Sequence, residues 1–283
     1  MIEKLYDFFV KSTGVSTDTR TIKPNNIWFA LKGPNFNANR FADQALEKGA
    51  GLVVIDDADF AKDDRYFVVD DCLKALQDLG NHHRKQFSIP FIGITGSNGK
   101  TTTKELLRDV LSEKYKVLAT KGNLNNHIGV PLTLLEIDES IEIAIIEMGA
   151  NKVGDIAELC GIADPTHGMI TNIGKAHLEG FGGIEGVIRG KSELYHHLIK
   201  KEGYIFVNSN SEVLSHIAKR RIKSPIYYPV QGDFFTAELL DSQPVLKFKT
   251  ATGLVVVTYL TGAYNVENIC AALCIGRFFE VQE

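Results

Sequence analysis

The sequence predicts an α/β protein: a small N-terminal α/β domain followed by a mainly parallel, P-loop-type central sheet domain with a β-hairpin addition. Three observations point there. Apolar runs alternate with helical patterns along most of the chain, which implies right-handed βαβ units and a parallel sheet covered on both faces. The stretch GITGSNGKTTTKE, residues 93 to 105, sets glycines, a lysine and three successive threonines where a strand hands over to a helix. Pro90, after Phe87-Ser88-Ile89, ends the preceding helical pattern, because proline disfavours helix in the residue before it.

In the first domain, residues 1–88, the runs Trp28 to Leu31, Leu52 to Ile55 and Tyr66 to Val69 read as strands, with helices over Phe41 to Lys48 and Leu73 to Lys85. In the second, residues 89–283, strands are expected at Phe91 to Thr95, Val117 to Ala119, Glu142 to Glu147, His167 to Thr171, Tyr204 to Val207 and Ile226 to Tyr228. Helices from Thr101, near Val130 to Glu136, near Val153 to Cys160, over Gly183 to Lys200 and over Glu212 to Arg220 alternate with them. Residues 234–260 read as β-hairpins with polar turns at Ser242-Gln243-Pro244 and Thr252-Gly253, and a last helix follows Tyr264.

Composition narrows the function classes. The 283 residues are enough for roughly two domains. With 44% apolar and 23% charged residues, neither disorder nor a membrane class is indicated. A formal charge of -4 argues against a large basic surface for nucleic acid and favours small-molecule partners. Cys72, Cys160, Cys270 and Cys274 show no C-x-x-C spacing, and Glu3 and Asp7 interrupt the N-terminal apolar stretch, so no signal peptide is read and a reducing cytoplasm is expected. The run Ile141 to Ile146 is far short of the about 20 apolar residues that span a bilayer.

The loop carries the chemistry. Successive backbone N–H groups in a glycine turn, followed by a helix N-terminus, make an anion site. Gly96, Ser97, Asn98, Gly99, Lys100, Thr101 and Thr102 would therefore hold a nucleoside triphosphate, with Lys100 on its β- and γ-phosphates and the Thr101 hydroxyl offered to Mg²⁺. The usual G-x-x-x-x-G-K-[ST] pattern needs glycine where this chain has Ile94, so the loop is a variant. Glu147 ends a buried strand run, which sets a carboxylate at the carboxyl edge of the sheet, where it would hold the magnesium. His177 also follows a strand; taken alone, such a histidine is more often structural than a ligand. His82-His83 and His196-His197 sit on helices, where neighbours point in different directions, and are assigned no function. Gly180, Gly182 and Gly183 do not form G-x-G-x-x-G, since position 185 is Glu185.

With these residues in hand, the chain resembles the Mur ligases, the ATP-dependent amide-forming enzymes of peptidoglycan precursor synthesis and cell wall biogenesis. The run from Thr95 to Thr102 looks like their altered phosphate loop. Gly122 to Asn126, Ile128 to Thr133, Glu147-Met148-Gly149-Ala150, Thr171-Asn172-Ile173 and Ala176-His177-Leu178-Glu179 are similar to the branch that adds D-alanyl-D-alanine. The resemblance implies transfer of the ATP γ-phosphoryl group to the terminal carboxylate of a UDP-N-acetylmuramoyl-tripeptide. The acyl phosphate is then attacked by the amine of D-alanyl-D-alanine.

By position, it implies that Lys100, His177 and Lys191 are catalytic. Thr101 and Glu147 would ligand one Mg²⁺ and His177 a second. Lys191 is either N-carboxylated and metal-binding or an unmodified contact to phosphate. Asn265 and Asn268 match the adenine-side H-N-x-x-N motif, with Tyr264 in place of its histidine. Asn125 and Asn126 would face the sugar and peptide of the substrate. Thr19 and Arg20, in Ser16 to Arg20, would contact the uridine diphosphate or else cap and pair locally, and Asn37-Ala38 stands where relatives carry Asp-Gly.

A cytoplasmic monomer without nucleic acid or membrane insertion is expected. The family's third, C-terminal domain has no counterpart before Glu283, so a truncated form with little or no ligase activity is expected. Alternatives are a diaminopimelate- or lysine-adding Mur ligase, folylpolyglutamate synthase, or a non-catalytic nucleotide-binding module.

Overall fold

A computed structural model describes residues 1–175 and 177–282; Ala176, in the run around His177, and the terminal Glu283 lie outside the described residues. The chain divides into two compact units: Met1–Ser88 with His127–Ile137, and Ile89–Asn126 with Asp138–Glu283.

The first unit begins with the helix α1 (Ile2–Phe9), then β1 (Val15–Ser16), β2 (Ile27–Phe29) and the small antiparallel pair β3 (Lys32–Gly33) and β4 (Phe36–Asn37). It continues through α2 (Ala42–Glu47), β5 (Leu52–Ile55), β6 (Tyr66–Val68) and α3 (Cys72–Arg84). Strands β1-β2-β5-β6 form a parallel sheet in that order. All residues of β2 and β5 are buried, the pattern of a parallel sheet covered on both faces. Asp71 starts α3 by accepting the Lys74 N–H at 2.8 Å, a side-chain N-cap.

The second unit opens with β7 (Phe91–Thr95), α4 (Lys100–Ser112) and β8 (Val117–Ala119). Next comes α5 (Gly129–Leu134), which the alternating pattern assigns to the second domain but which packs with the first unit. The reason is close helix packing on α3: a Cβ at Gly80 would lie 2.9 Å from the Pro131 Cβ, and the Gln77 side chain donates to the His127 carbonyl at 3.2 Å. His83 Nε2 donates to the Ile137 carbonyl at 2.8 Å, which leaves Nδ1 to accept from the Tyr6 hydroxyl at 3.1 Å.

The remaining elements are β9 (Ile143–Glu147), α6 (Asp155–Ala163), β10 (His167–Ile170), α7 (Leu178–Phe181), α8 (Ile184–Lys191), α9 (Glu193–Lys200), β11 (Tyr204–Asn208), α10 (Glu212–Arg221) and β12 (Ile226–Tyr228). A three-stranded antiparallel sheet of β13 (Ala237–Asp241), β14 (Lys247–Thr250) and β15 (Val255–Val257) and the helix α11 (Asn265–Phe278) complete the unit. The single helix expected over 183–200 is broken at Ser192 into α8 and α9. Just past the break the Glu193 carboxylate accepts the Gly154 and Ala157 N–H groups at 2.7 and 2.8 Å, an anchor at the start of α6.

The main sheet is parallel, in the order β12-β11-β10-β7-β9-β8. After β7 the chain crosses to the β8-β9 side, and from β10 onward it builds on the other side. That reversal flanks β7, and open α/β sheets bind ligands at the carboxyl ends of strands beside such a switch point. The loop after Thr95 stands there.

Candidate functional site

The loop is shaped by its two internal glycines. Gly96 has φ +147° and Gly99 has φ +77°, conformations that disfavour a side chain. Space excludes one as well: a Cβ at Gly96 would lie 1.9 Å from Thr171 Oγ1, and one at Gly99 would lie 2.6 Å from Asn268 Oδ1. Gly99 is also the residue from which α4 starts, so the first N–H groups of α4 lie at the end of the loop.

The end of β10 holds the loop from one side. Ser97 N–H donates to the Asn172 carbonyl at 3.0 Å, and the Ser97 hydroxyl both donates to the Gly174 carbonyl and accepts the Gly174 N–H. Asn98 N–H donates to Asn172 Oδ1 at 3.0 Å, while the Asn98 carbonyl accepts from Thr171 Oγ1 at 2.6 Å and from Asn172 Nδ2 at 3.0 Å. Thr171 and Asn172 belong to a run that sequence reasoning marked without giving either a role.

Lys100, first residue of α4, folds its ammonium back onto the Gly96 carbonyl at 2.9 Å and the Ser97 carbonyl at 3.4 Å. Burial lowers its pKa, and the Glu147 charge works in the opposite direction. An ammonium held by loop carbonyls can turn toward an anion that enters the loop.

On the β9 side, Glu147 is 1% exposed. Its Oε1 accepts from the Thr101 hydroxyl at 3.2 Å and from Asn125 Nδ2 at 2.7 Å, and its backbone N–H donates to Thr120 Oγ1 at 3.0 Å. Its Oε2 is buried with no hydrogen-bond partner among the described residues, and the Lys104 ammonium is 3.8 Å away. An orphaned buried carboxylate oxygen beside a threonine hydroxyl is a hard-oxygen donor set and fits Mg²⁺. The described residues contain no group of three or more His, Cys, Asp or Glu side chains able to hold a metal, so such an ion would draw its other ligands from phosphate oxygens and water.

Asn125, expected to face substrate, donates its side-chain amide to Glu147 Oε1. Asn126 is exposed on the same loop. Across α4, Asn268 Oδ1 accepts from Thr103 Oγ1 at 3.1 Å, Asn268 Nδ2 donates to Asn265 Oδ1 at 3.0 Å, and Asn265 Nδ2 donates to the Thr261 carbonyl at 2.9 Å. Both asparagines are buried against the loop helix, whereas Tyr264 is 75% exposed.

Lys191, at the end of α8, is 3% exposed, with its Nζ 3.4 Å from the Ala150 carbonyl and 5.3 Å from the centre of the Phe181 ring. Burial, with the Lys100 charge second, pulls its pKa down to about 8 against the opposing charges of Asp155 and Glu193. His177 heads α7 at φ +56° with its side chain exposed, and among the described residues no hydrogen bond or ion pair joins it to Glu147 or the loop. In the first unit, Arg20 pairs locally: its guanidinium clamps the Asp18 carboxylate and holds the Asp18 pKa at about 2, while the Lys48 ammonium meets the Thr19 carbonyl at 3.0 Å.

Lys104 went unremarked in the sequence, although a signal was present. It shares the buried face of α4 with Leu107 and Leu111, at helical spacing, where a charge needs a partner.

The chain matches the Mur ligase middle domain over residues 94–276. It is 35% identical over 272 residues to the UDP-N-acetylmuramoyl-tripeptide--D-alanyl-D-alanine ligase of Bacillus subtilis, covering 95% of this chain and 59% of that protein. The enzyme of the same name from Escherichia coli is 35% identical over 270 residues, covering 92% and 59%. Among solved structures, MurF from Thermotoga maritima in complex with ADP superposes with a TM-score of 0.84 at 29% identity, over 98% of this chain and 65% of that one. A diaminopimelate ligase shares the fold at a TM-score of 0.59 and 18% identity. The chain thus spans about three fifths of the length of the curated relatives it matches. On the strength of the middle-domain match, the chain belongs to the Mur ligase family.

Proposed function

We propose that the chain carries the nucleotide and cation site of an ATP-dependent ligase that joins D-alanyl-D-alanine to a UDP-N-acetylmuramoyl-tripeptide, in the cytoplasm. The observation that carries it is the pairing of the glycine loop with the buried Glu147–Thr101 cluster, on a chain 35% identical to ligases of that name.

In this reading a carboxylate oxygen of the tripeptide attacks the γ-phosphorus and ADP leaves. The dipeptide amine then adds to the acyl carbon, and the tetrahedral adduct expels inorganic phosphate as the amine sheds its proton. The chain's part is to hold anions together at a fixed distance. Loop amides and Lys100 take the β- and γ-phosphates, Asn265 and Asn268 shape the adenine side, and Thr101 and Glu147 would hold Mg²⁺, which would neutralise phosphate charge. Thr19, Arg20, Asn125, Asn126 and His177 keep their expected roles toward substrate and a second cation. For Arg20 that requires exchanging Asp18 for a phosphate.

The depressed pKa of Lys191 supports carboxylation. Its neutral amine adds to CO₂ and loses a proton to give a carbamate, and burial beside Lys100 keeps part of the population neutral near pH 7. A ¹³C-labelled carbamate signal in bicarbonate, absent from Lys191→Met, tests this.

Product analysis at high protein concentration, with ATP, the tripeptide nucleotide and D-alanyl-D-alanine, diaminopimelate or lysine in turn, tests the whole assignment. Little or no turnover is expected, and such amide as forms is expected with the dipeptide alone. Amide with another amine, or ATP binding untouched by Lys100→Met, overturns it.

A further inference from the structure

We propose that Lys104 is the resident countercharge of Glu147, and that it keeps the cation site close to neutral so that a divalent cation enters with a triphosphate rather than alone. This rests on the reading of Glu147 as a cation ligand.

Lys104 lies one turn after Lys100 on α4 and is fully buried, at 0% exposure. Its ammonium donates to the Thr120 carbonyl at 2.7 Å and the Gly122 carbonyl at 3.3 Å, and it pairs with Glu105 at 2.9 Å on the solvent side. Glu147 Oε2 lies 3.8 Å from the same ammonium. That oxygen has no hydrogen bond among the described residues, so Lys104 compensates a buried charge without occupying the oxygen's lone pairs.

The arrangement is stiff. Thr120 accepts Lys104 on its carbonyl and the Glu147 N–H on its hydroxyl, so one residue sets the spacing of both charges. The Gly122 contact ties the same ammonium to the loop that carries Asn125, the other partner of Glu147. Lys104 is therefore a positioning residue for the carboxylate and also a fixed positive charge that a bare cation must approach. A triphosphate in the glycine loop supplies the negative charge that overcomes this repulsion.

The test is binding of Mn²⁺, read by electron paramagnetic resonance on the nucleotide-free protein. Lys104→Met should bind Mn²⁺ about tenfold or more tightly than wild type, since it removes a like charge from a poorly solvated site. Lys104→Arg should stay close to wild type. A purely structural lysine predicts the opposite for Lys104→Met, a looser site and weaker binding, and either that or unchanged affinity overturns the proposal.

Thermal unfolding covers the case in which Lys104→Met folds poorly. Glu147→Gln removes the buried carboxylate beside Lys104 and leaves it the solvent-side Glu105, so adding Lys104→Met to it should cost less stability than Lys104→Met costs in wild type. Equal costs overturn the pairing. Mn²⁺ binding with ATP present separates the underlying reading: if Glu147→Gln then binds as wild type does, Glu147 is not the ligand, whatever Lys104 does.

Discussion

Asn172 holds Asn98 by both backbone groups at once: its Oδ1 accepts the Asn98 N–H and its Nδ2 donates to the Asn98 carbonyl, each at 3.0 Å. A side-chain amide here does what a neighbouring strand does for a peptide group, and it fixes the middle of a loop that has no regular partner of its own. Asn172→Ala leaves Thr171 and Ser97 as the remaining ties. Each lost hydrogen bond is worth about 1 kcal/mol, so ATP affinity should fall roughly five- to thirtyfold while the melting temperature moves little. Calorimetric titration with ATP and Mg²⁺ checks it; unchanged affinity would show that the loop is held without Asn172.

Gly96→Ala should be far more damaging than its one methyl suggests. The new Cβ meets Thr171 Oγ1 at 1.9 Å in a backbone conformation, φ +147°, that side chains avoid. A loss of about 2 kcal/mol or more is expected, together with loss of nucleotide binding. Adding Thr171→Ala should not restore binding, because the Thr171 backbone nitrogen also lies 3.0 Å from that Cβ. Full recovery in the double variant would show that only the hydroxyl stood in the way.

These two predictions fall where the sequence was most legible. Strand β7, the glycine turn and the start of α4 are decided by local signals: a buried apolar run, positive-φ glycines and a helix beginning at a lysine. Strands β5, β8 and β12 also lie at the bounds read from their apolar runs. What stayed hidden depends on partners distant in sequence. The helix at Gly129–Leu134 was legible as a helix, but its packing with the first unit depends on Gly80, which propensity does not see. The same holds for Asn125 on Glu147 and for the charge buried at Lys104. Helix α1, only 8 residues long, falls below the length at which periodicity is decisive.

Asn268 is a hinge of polar contacts between α4 and α11. It accepts from Thr103 Oγ1 and donates to Asn265 Oδ1 in a buried setting. Asn268→Leu removes both partners' bonds at once and leaves a hydroxyl and an amide oxygen without them, so a loss of roughly 2–3 kcal/mol is expected in urea unfolding. Asn265→Leu should cost less in combination with Asn268→Leu than alone, since the two share a bond. Strict additivity in that cycle would argue against a shared network.

Lys191 gives the chain a defined pH dependence. In the folded protein it loses its proton at about 8, against an ordinary 10.5. Between these values the unfolded chain still holds a proton that the folded chain has shed, so stability rises with pH across the window, and below 8 the full penalty of burying the cation is present. Lys191→Met removes the titrating group. It should therefore be more stable than wild type at pH 7, and its advantage should shrink as pH climbs from 8 toward 10, by up to about 1.4 kcal/mol for each unit. Paired urea titrations in CO₂-depleted buffer check this, because carboxylation would replace the ammonium by an anion. An advantage that grows with pH would show that the folded chain stabilises the lysine cation, and the burial argument for its reactivity would fall with it.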